Sequence, residues 1–291
     1  MKKQYLMILA IIGLILIIGI LFNKYSSSDK SIIFSYPGSN INFADEKVPM
    51  NDVYFFNKER FDKEFYINSY NVYQDILYIK RSPIYMPYIE KALSEAKIPN
   101  DFKYLAIAES ALLNNALSST SAAGIWQFMP ETAKRFGLQV NDYVDERYNP
   151  EKSTIAAIKY FKELYKKFGD RTLVAASYNR GENGIKNALD KQKVSSFYDL
   201  YLNEETSRYV FRILAIKYIM KDYESKKWFI DKIIGDKYYP PKTKTIKVSK
   251  IDNLYDFAIK QNENYKTIKL LNPWIIGDSL PEGKWEIKIM N

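Results

Sequence analysis

The chain of 291 residues contains no cysteine and no histidine. Without cysteine there can be no disulfide, zinc–thiolate site, thiol nucleophile or lipidated N-terminal cysteine. Without histidine the commonest general base and the commonest metal ligand are missing. Any His-based hydrolytic triad is thereby excluded, and proton transfer is left to carboxylates, Tyr and Lys. No cofactor motif and no metal-ligand set is read. A concentrated basic run is lacking too. The formal charge is +9, from 43 basic and 34 acidic residues, but the lysines are spread along the chain without interleaved aromatics, which argues against a nucleic-acid groove. A hydrophobic share of 47% and a charged share of 26% are ordinary for a globular protein and argue against a mostly disordered chain. The 25 tyrosines read as compositional bias.

The one long apolar run is Leu6 to Phe22, seventeen residues. At ~1.5 Å per residue it reaches about 25 Å, enough to span a bilayer with little tilt. Lys2 and Lys3 precede it, which places the N-terminus in the cytoplasm and the rest outside. The run is longer than a usual signal core, and Asn23-Lys24-Tyr25-Ser26 offers no small-x-small cleavage site, so an uncleaved anchor is preferred to a signal peptide. The expected organisation is a stub and transmembrane anchor over 1–25, a polar tether over 26–50, a helical domain over 51–230 and a small α+β module over 240–291, separated by Tyr238-Tyr239-Pro240-Pro241.

From Asp52 the apolar residues recur at helical spacing, and Pro83 and Pro87 punctuate before a segment from Tyr88 to Ala96. Further helices are expected over 101–112, 130–136, 154–168, 172–178 and 204–220. Pro130 followed by Glu131 is a helix-start signature, and Asp170 before Arg171-Thr172-Leu173 an N-cap. The C-terminal stretch holds Thr-Ile-Lys-Val, an amphipathic segment from Leu254 to Gln261, and Trp285-Glu286-Ile287-Lys288-Ile289 alternating as a strand does.

Chemistry points to Phe102–Leu113, FKYLAIAESALL, where the single carboxylate Glu109 stands among apolar and small residues. In such surroundings the neutral carboxyl is favoured and can hold a proton at neutral pH. This segment alone leaves a solvent-facing helix glutamate equally open. Two further segments, Ser121–Pro130 and Ala175–Gly184, mix glycines, aromatics and amides, the side chains that sugar recognition uses.

In order and spacing, Glu109-Ser110, Gly124-Ile125-Trp126-Gln127 and Ser177-Tyr178-Asn179 resemble the hallmarks of the lytic transglycosylase (SLT) family, whose fold is goose-type lysozyme-like. The tryptophan variant is that of its membrane-bound subgroup. The likeness extends upstream to Arg81-Ser82 through Tyr88 and to Ile98-Pro99, and downstream to Glu205-Thr206-Ser207-Arg208-Tyr209-Val210, covering about Asp52 to Met220. Ser177 stands where alanine is usual, and Arg180 where a small residue is usual. Residues from Thr245 to Ile289 loosely resemble a degenerate LysM repeat, a βααβ unit, through Leu271-Asn272-Pro273 and Pro281-Glu282-Gly283, although Ile251-Asp252-Asn253-Leu254 replaces its usual Gly-Asp-Thr-Leu.

The resemblance implies a mainly α, lysozyme-like domain in the cell envelope that acts on peptidoglycan strands by a one-carboxylate route with Glu109 as acid and then base. It implies that Tyr178 orients Glu109, that Ser110, Gln127 and Asn179 hold the N-acetyl and lactyl groups of the substrate, that Trp126 or Phe128 lines the sugar cleft, and that Gly124 belongs to the substrate-binding set. No second carboxylate stands out: Glu131 reads as a helix start, Glu182 as a loop charge and Asp170 as a cap. A hydrolytic muramidase and a non-catalytic wall-binding scaffold are the rival readings.

Overall fold

The computed structural model describes residues 34–291, so the expected anchor and the first part of the tether lie outside the described residues. Among the described residues no helix is long and apolar enough to cross a membrane. The architecture is mainly helical. Helices α1 (Phe55–Tyr70), α2 (Val72–Glu95), α3 (Lys103–Ser110), α4 (Pro130–Arg135), α5 (Pro150–Phe168), α6 (Arg171–Arg180), α7 (Glu182–Gln192) and α8 (Glu204–Ile234) form the main body. Its core gathers Phe61, Phe65, Phe161, Phe211, Leu105 and Leu214.

The caps lie where the sequence puts them. Pro130 is the first residue of α4 with Glu131 in its first turn, and Asp170 caps α6 by accepting from the Leu173 N–H at 2.6 Å. Helix α5 begins four residues earlier than expected, because Asn149 accepts from the Lys152 N–H at 2.9 Å and Pro150 supplies a ready φ. It ends at Gly169, in the left-handed region at φ 66°.

Four expectations are corrected. The prolines at 83 and 87 do not break α2; Pro83 cannot donate to the carbonyl of Ile79, but the Ser82 hydroxyl does so at 2.8 Å. Glu182 is not a loop charge. It opens α7 and faces Arg135 at 3.5 Å and Lys167 at 3.8 Å. Helix α8 runs on past Met220 to Ile234, burying Tyr223 and Ile230 on the way.

The fourth correction concerns the tether. Residues 34–48 pack on the main body, with Phe34, Ile41, Phe43 and Val48 buried in its core. Strands β1 (Asn42–Phe43) and β2 (Glu46–Lys47) pair antiparallel around Ala44 and Asp45, both at positive φ as a tight hairpin turn requires. The Glu46 carboxylate accepts from the Arg171 and Thr172 N–H groups at the start of α6, where a helix favours an anion. Lys217, buried on α8, donates to the Asn42 carbonyl at 2.7 Å, to Asn42 Oδ1 at 2.8 Å and to Asp101 at 2.6 Å.

Beyond α8, strands β3 (Thr243–Val248) and β4 (Trp285–Met290) pair antiparallel from Thr243↔Met290 to Val248↔Trp285, with α9 (Leu254–Lys260) and α10 (Tyr265–Leu271) between them. This is the βααβ order. Asn272 is fully buried and joins α10 to β4, its amide donating to the Lys288 carbonyl and its oxygen accepting from the Lys288 N–H. The module has its own core, which takes in Val144 of the main body. It is fastened there by the Asp145 N–H to the Trp274 carbonyl at 2.8 Å and by Lys288 to Glu151 at 2.5 Å.

Removing the Lys217 ammonium leaves Asp101 and the hairpin carbonyl without their partner in a buried setting. Lys217→Ala is expected to destabilise the main body by about 3 kcal/mol, read as a drop in chemical-denaturation midpoint, with Lys217→Arg losing less.

Candidate active site

Helix α3 stops one residue after Glu109. Ala111 and Leu112 both adopt left-handed backbone, at φ 54° and 56°, which for non-glycine residues is strained by about 1–2 kcal/mol each. The strain is held in place from several sides. The Ala111 N–H closes the helix on Ile107 at 2.7 Å, and Arg81 donates to the Ala111 carbonyl at 2.9 Å. The buried Ser110 hydroxyl reaches both the Ala106 carbonyl of its own helix and the Ile125 carbonyl of the neighbouring loop. Ser110 is therefore spent on fixing the end of α3 against residues 121–130 and is not presented to a ligand.

That loop is rigid. Gly124 sits at φ 78°, and a Cβ there would lie 2.0 Å from the Arg147 carbonyl oxygen, so only glycine fits. Gln127, at φ 47°, turns its amide back to donate to the Ala116 and Gly124 carbonyls. Arg147 is buried and holds Asp145 through paired hydrogen bonds, while donating to the Ser121 and Phe128 carbonyls at 2.6 and 3.0 Å. Nothing in the local sequence marks Arg147 as the buckle of this loop.

Trp126 and Phe128, expected to shape an open cleft, are core residues. Trp126 is 0% exposed; its indole donates to Thr154 Oγ1 at 2.9 Å and meets Phe161 edge-on. Phe128 is buried against Tyr178. Open apolar surface on the segments flanking Glu109 and Phe128 comes from Leu113, Leu117 and Met129.

Glu109 itself is half-buried. Its Oε1 accepts a hydrogen bond of 2.5 Å from the Tyr209 hydroxyl on α8. Burial pushes its carboxyl up to about 7, with Glu205 adding slightly; the Tyr209 hydrogen bond and the Arg212 charge pull the other way and lose. Tyr209 is itself held neutral, its own ionisation opposed by burial and by Glu109. Tyr178 does not take the orienting position. Its hydroxyl donates to the Trp126 carbonyl at 2.7 Å, and its ring packs on Tyr160 and Phe161. Asn179 is half-buried and makes a long contact of 3.4 Å to Glu205. The sequence reading missed Tyr209 as the partner, although it lay within the Glu205–Val210 segment.

Arg212 is drawn off toward α1. Its Nε lies 3.7 Å from the buried Glu64, which also binds Arg208. The site thus offers one carboxyl able to carry a proton near neutrality, one neutral hydroxyl aimed at it and two arginines engaged elsewhere. Among the described residues no group of three or more acidic side chains gathers as a metal site would require.

Residues 86–200 match the transglycosylase SLT domain, and residues 244–289 match the soluble lytic transglycosylase C-terminal LysM-like domain. The stretch that carries Glu109, Gly124 and Tyr178 lies within the SLT match. Membrane-bound lytic murein transglycosylase D of Escherichia coli strain K12 is 33% identical over 180 residues, covering 60% of this chain and 38% of that protein. Peptidoglycan transglycosylase gp16 of Escherichia phage T7 is 36% identical over 115 residues, 38% of this chain and 9% of that protein. This chain therefore spans well under half the length of either relative. The solved 70 kDa soluble lytic transglycosylase of Escherichia coli is 24% identical at a TM-score of 0.38, covering 52% of this chain and 24% of that one. The matched SLT stretch ends at residue 200, so Tyr209 and Arg212 act on its central acid from beyond that boundary.

Two outcomes test this geometry. Titrating Glu109 by carboxyl-carbon NMR is expected to give a midpoint of about 7, and Tyr209→Phe to move it higher, since a bond that favours the ionised form is lost. A folded carboxyl that keeps its proton above the unfolded value of 4.5 makes stability fall as pH rises from about 4.5 to 7 and level off beyond. Glu109→Gln is accordingly expected to raise thermal stability at pH 8, by about 1–2 kcal/mol, and to leave it nearly unchanged at pH 4.

Proposed function

We propose that this chain is a peptidoglycan lytic transglycosylase in which Glu109 serves first as general acid and then as general base. The observation that carries the reading is a half-buried carboxyl pushed to about 7 and bonded only by a neutral tyrosine hydroxyl. A general acid works best with its pKa near the operating pH. The SLT and LysM-like matches, and relatives named for murein and peptidoglycan transglycosylases, support the substrate class.

Glycosidases ordinarily pair two carboxyl groups, and substrate-assisted enzymes dispense with the second. In the proposed route Glu109 gives its proton to the oxygen leaving between N-acetylmuramic acid and N-acetylglucosamine. The substrate's own N-acetyl group stabilises the cation formed at the anomeric carbon. The now ionised Glu109, stabilised by Tyr209 and Arg212, removes the proton from the C6 hydroxyl of the same muramic sugar, and a 1,6-anhydro ring closes. Tyr209 and Arg212 act in the same direction in both halves, by favouring the ionised carboxyl. They lower proton affinity slightly in the resting enzyme and hold the carboxylate once it has formed. In this reading Asn179 supplies the amide that meets the N-acetyl group, while Ser110, Gln127 and Gly124 keep the loop in shape. Glu205 is the carboxylate that a hydrolytic muramidase would call on, since it is exposed and contacts Asn179.

We place the catalytic unit outside the cytoplasm in the cell envelope, anchored by Leu6–Phe22, with a catalytic domain reaching to about residue 230 and a LysM-like module over 240–291. Digestion of purified sacculi is expected to release muropeptides with anhydro ends by mass spectrometry; reducing ends would assign hydrolysis. Glu109→Gln should lower the rate by about a thousandfold or more with folding intact, and retained activity removes Glu109 from the scheme. Activity should fall as pH rises through about 7, and in Tyr209→Phe that limb should lie at higher pH.

A further inference from the structure

The distal end of α8 carries an aromatic pair that the proposed chemistry does not use. Trp228 is 69% exposed, whereas Trp126, Trp274 and Trp285 are 0%, 5% and 5% exposed. Phe229 beside it is also exposed, and the two rings meet edge-on at 5.9 Å. The Lys232 ammonium lies 5.3 Å from the Trp228 ring, and Lys227 is held only loosely by Glu224 at 3.8 Å. The other acidic groups nearby are occupied: Asp231 by Tyr223 and Lys237, Asp222 by Lys226 and the Ser35 N–H. An exposed indole and phenyl flanked by lysines suit the headgroup level of a bilayer, where amphipathic rings partition and lysines meet anionic lipid.

What marks this face is the course of the N-terminal chain. Ser35 lies against α8, its N–H on Asp222 and its hydroxyl accepting from Lys226. Asp222, Lys226 and Phe229 stand at i, i+4 and i+7 and so form one stripe along the helix. Only eleven residues separate Phe22, the end of the apolar run, from Phe34, a reach of at most about 40 Å. The aromatic end of α8 thus lies beside the first described residues that follow the apolar run, and tethering makes even a weak surface affinity effective. A second exposed apolar patch, Val53 with Phe55 and Phe56, lacks this placement. The adjacent Tyr54 bonds Asp199, just ahead of the opposite end of α8.

We propose that the Trp228–Phe229 end of α8 docks into the interface of the bilayer that holds the anchor, so that α8 stands as a strut between membrane and active site. The inference rests on the anchor reading above. Trp228 lies nineteen positions beyond Tyr209, which sets Glu109 roughly 28 Å from the docked end along the helix axis.

Because the other three tryptophans are buried, the part of the native emission that aqueous iodide can reach comes from Trp228. The full chain is reconstituted into vesicles of phosphatidylethanolamine and phosphatidylglycerol, with or without phospholipid brominated high on the acyl chain. The expected result is a blue-shifted Trp228 emission that brominated lipid quenches and aqueous iodide does not. The quenched component should vanish in Trp228→Phe, and Lys227→Glu/Lys232→Glu should weaken quenching while the chain still floats with the vesicles. A chain that floats with the vesicles but whose Trp228 stays open to iodide and untouched by brominated lipid overturns the docking and spares the anchor. A chain that fails to float overturns both, whereas the anhydro-product assay tests the catalytic reading independently.

Discussion

A carboxyl group that holds a proton near neutral pH cannot have a full cationic partner, and the side chains around Glu109 are arranged in keeping with that constraint. Arg212 is near enough to lower the proton affinity of Glu109; direct pairing would leave the carboxyl ionised and unable to act as an acid. Glu64, buried on α1, faces both Arg212 and Arg208 and supplies the counter-charge that such pairing would otherwise take from Glu109. Asp75 shows the limit of burial alone. With neither oxygen hydrogen-bonded it is pushed to about 8. Glu109, with one hydroxyl donor and one displaced arginine, falls between an orphaned acid and an ion pair, which is the range in which one group can both give and take a proton.

Holding that balance requires the carboxyl to stay in place, within about 0.5 Å for a preorganised site, and the backbone around it is correspondingly constrained. Two consecutive left-handed residues end α3 directly after the Glu109-Ser110 pair, and the hydroxyl of Ser110 is committed on both sides. The facing loop is closed by Arg147 and by the contact at Gly124 that excludes any side chain. Several residues that bear the family's hallmarks therefore act through rigidity. Trp126, Phe128 and Gln127 fix the loop beside the Glu109-Ser110 pair through Thr154, Tyr178 and the Ala116 and Gly124 carbonyls.

The helical class, most helix starts and Glu109 were legible because they depend on short-range physics: a carboxylate in an apolar run, proline at a first turn, Asp170 ahead of Leu173. The misread residues depend on partners distant in the chain. Whether Trp126 is a sugar platform or a core indole is decided by Thr154 and Phe161, and whether residues 34–48 are a tether or a hairpin is decided by Lys217 and Asp101. Ile41, Phe43 and Val48 are too few to give a periodic signal. Pro83 looked like a break because the remedy, a hydroxyl from the residue before it, is a side-chain detail that pattern reading does not weigh. Tyr209 belongs to the Glu205–Val210 segment, but motif membership says nothing about which tyrosine faces the acid.

Helix α8 draws these elements into one mechanical unit. Its first turns present Tyr209 to the acid and Arg212 to Glu64, its middle clamps the hairpin through Lys217, and its distal half receives Ser35 and exposes Trp228. A load applied to the chain ahead of Phe34 therefore meets α8 first, through Ser35 and then through the three hydrogen bonds of Lys217, before it can reach α3. A long helix is stiff along its axis, and packed cores transmit displacement with little give. Displacement of the N-terminal segment is therefore carried into α8, the helix whose first turns hold Tyr209 against Glu109.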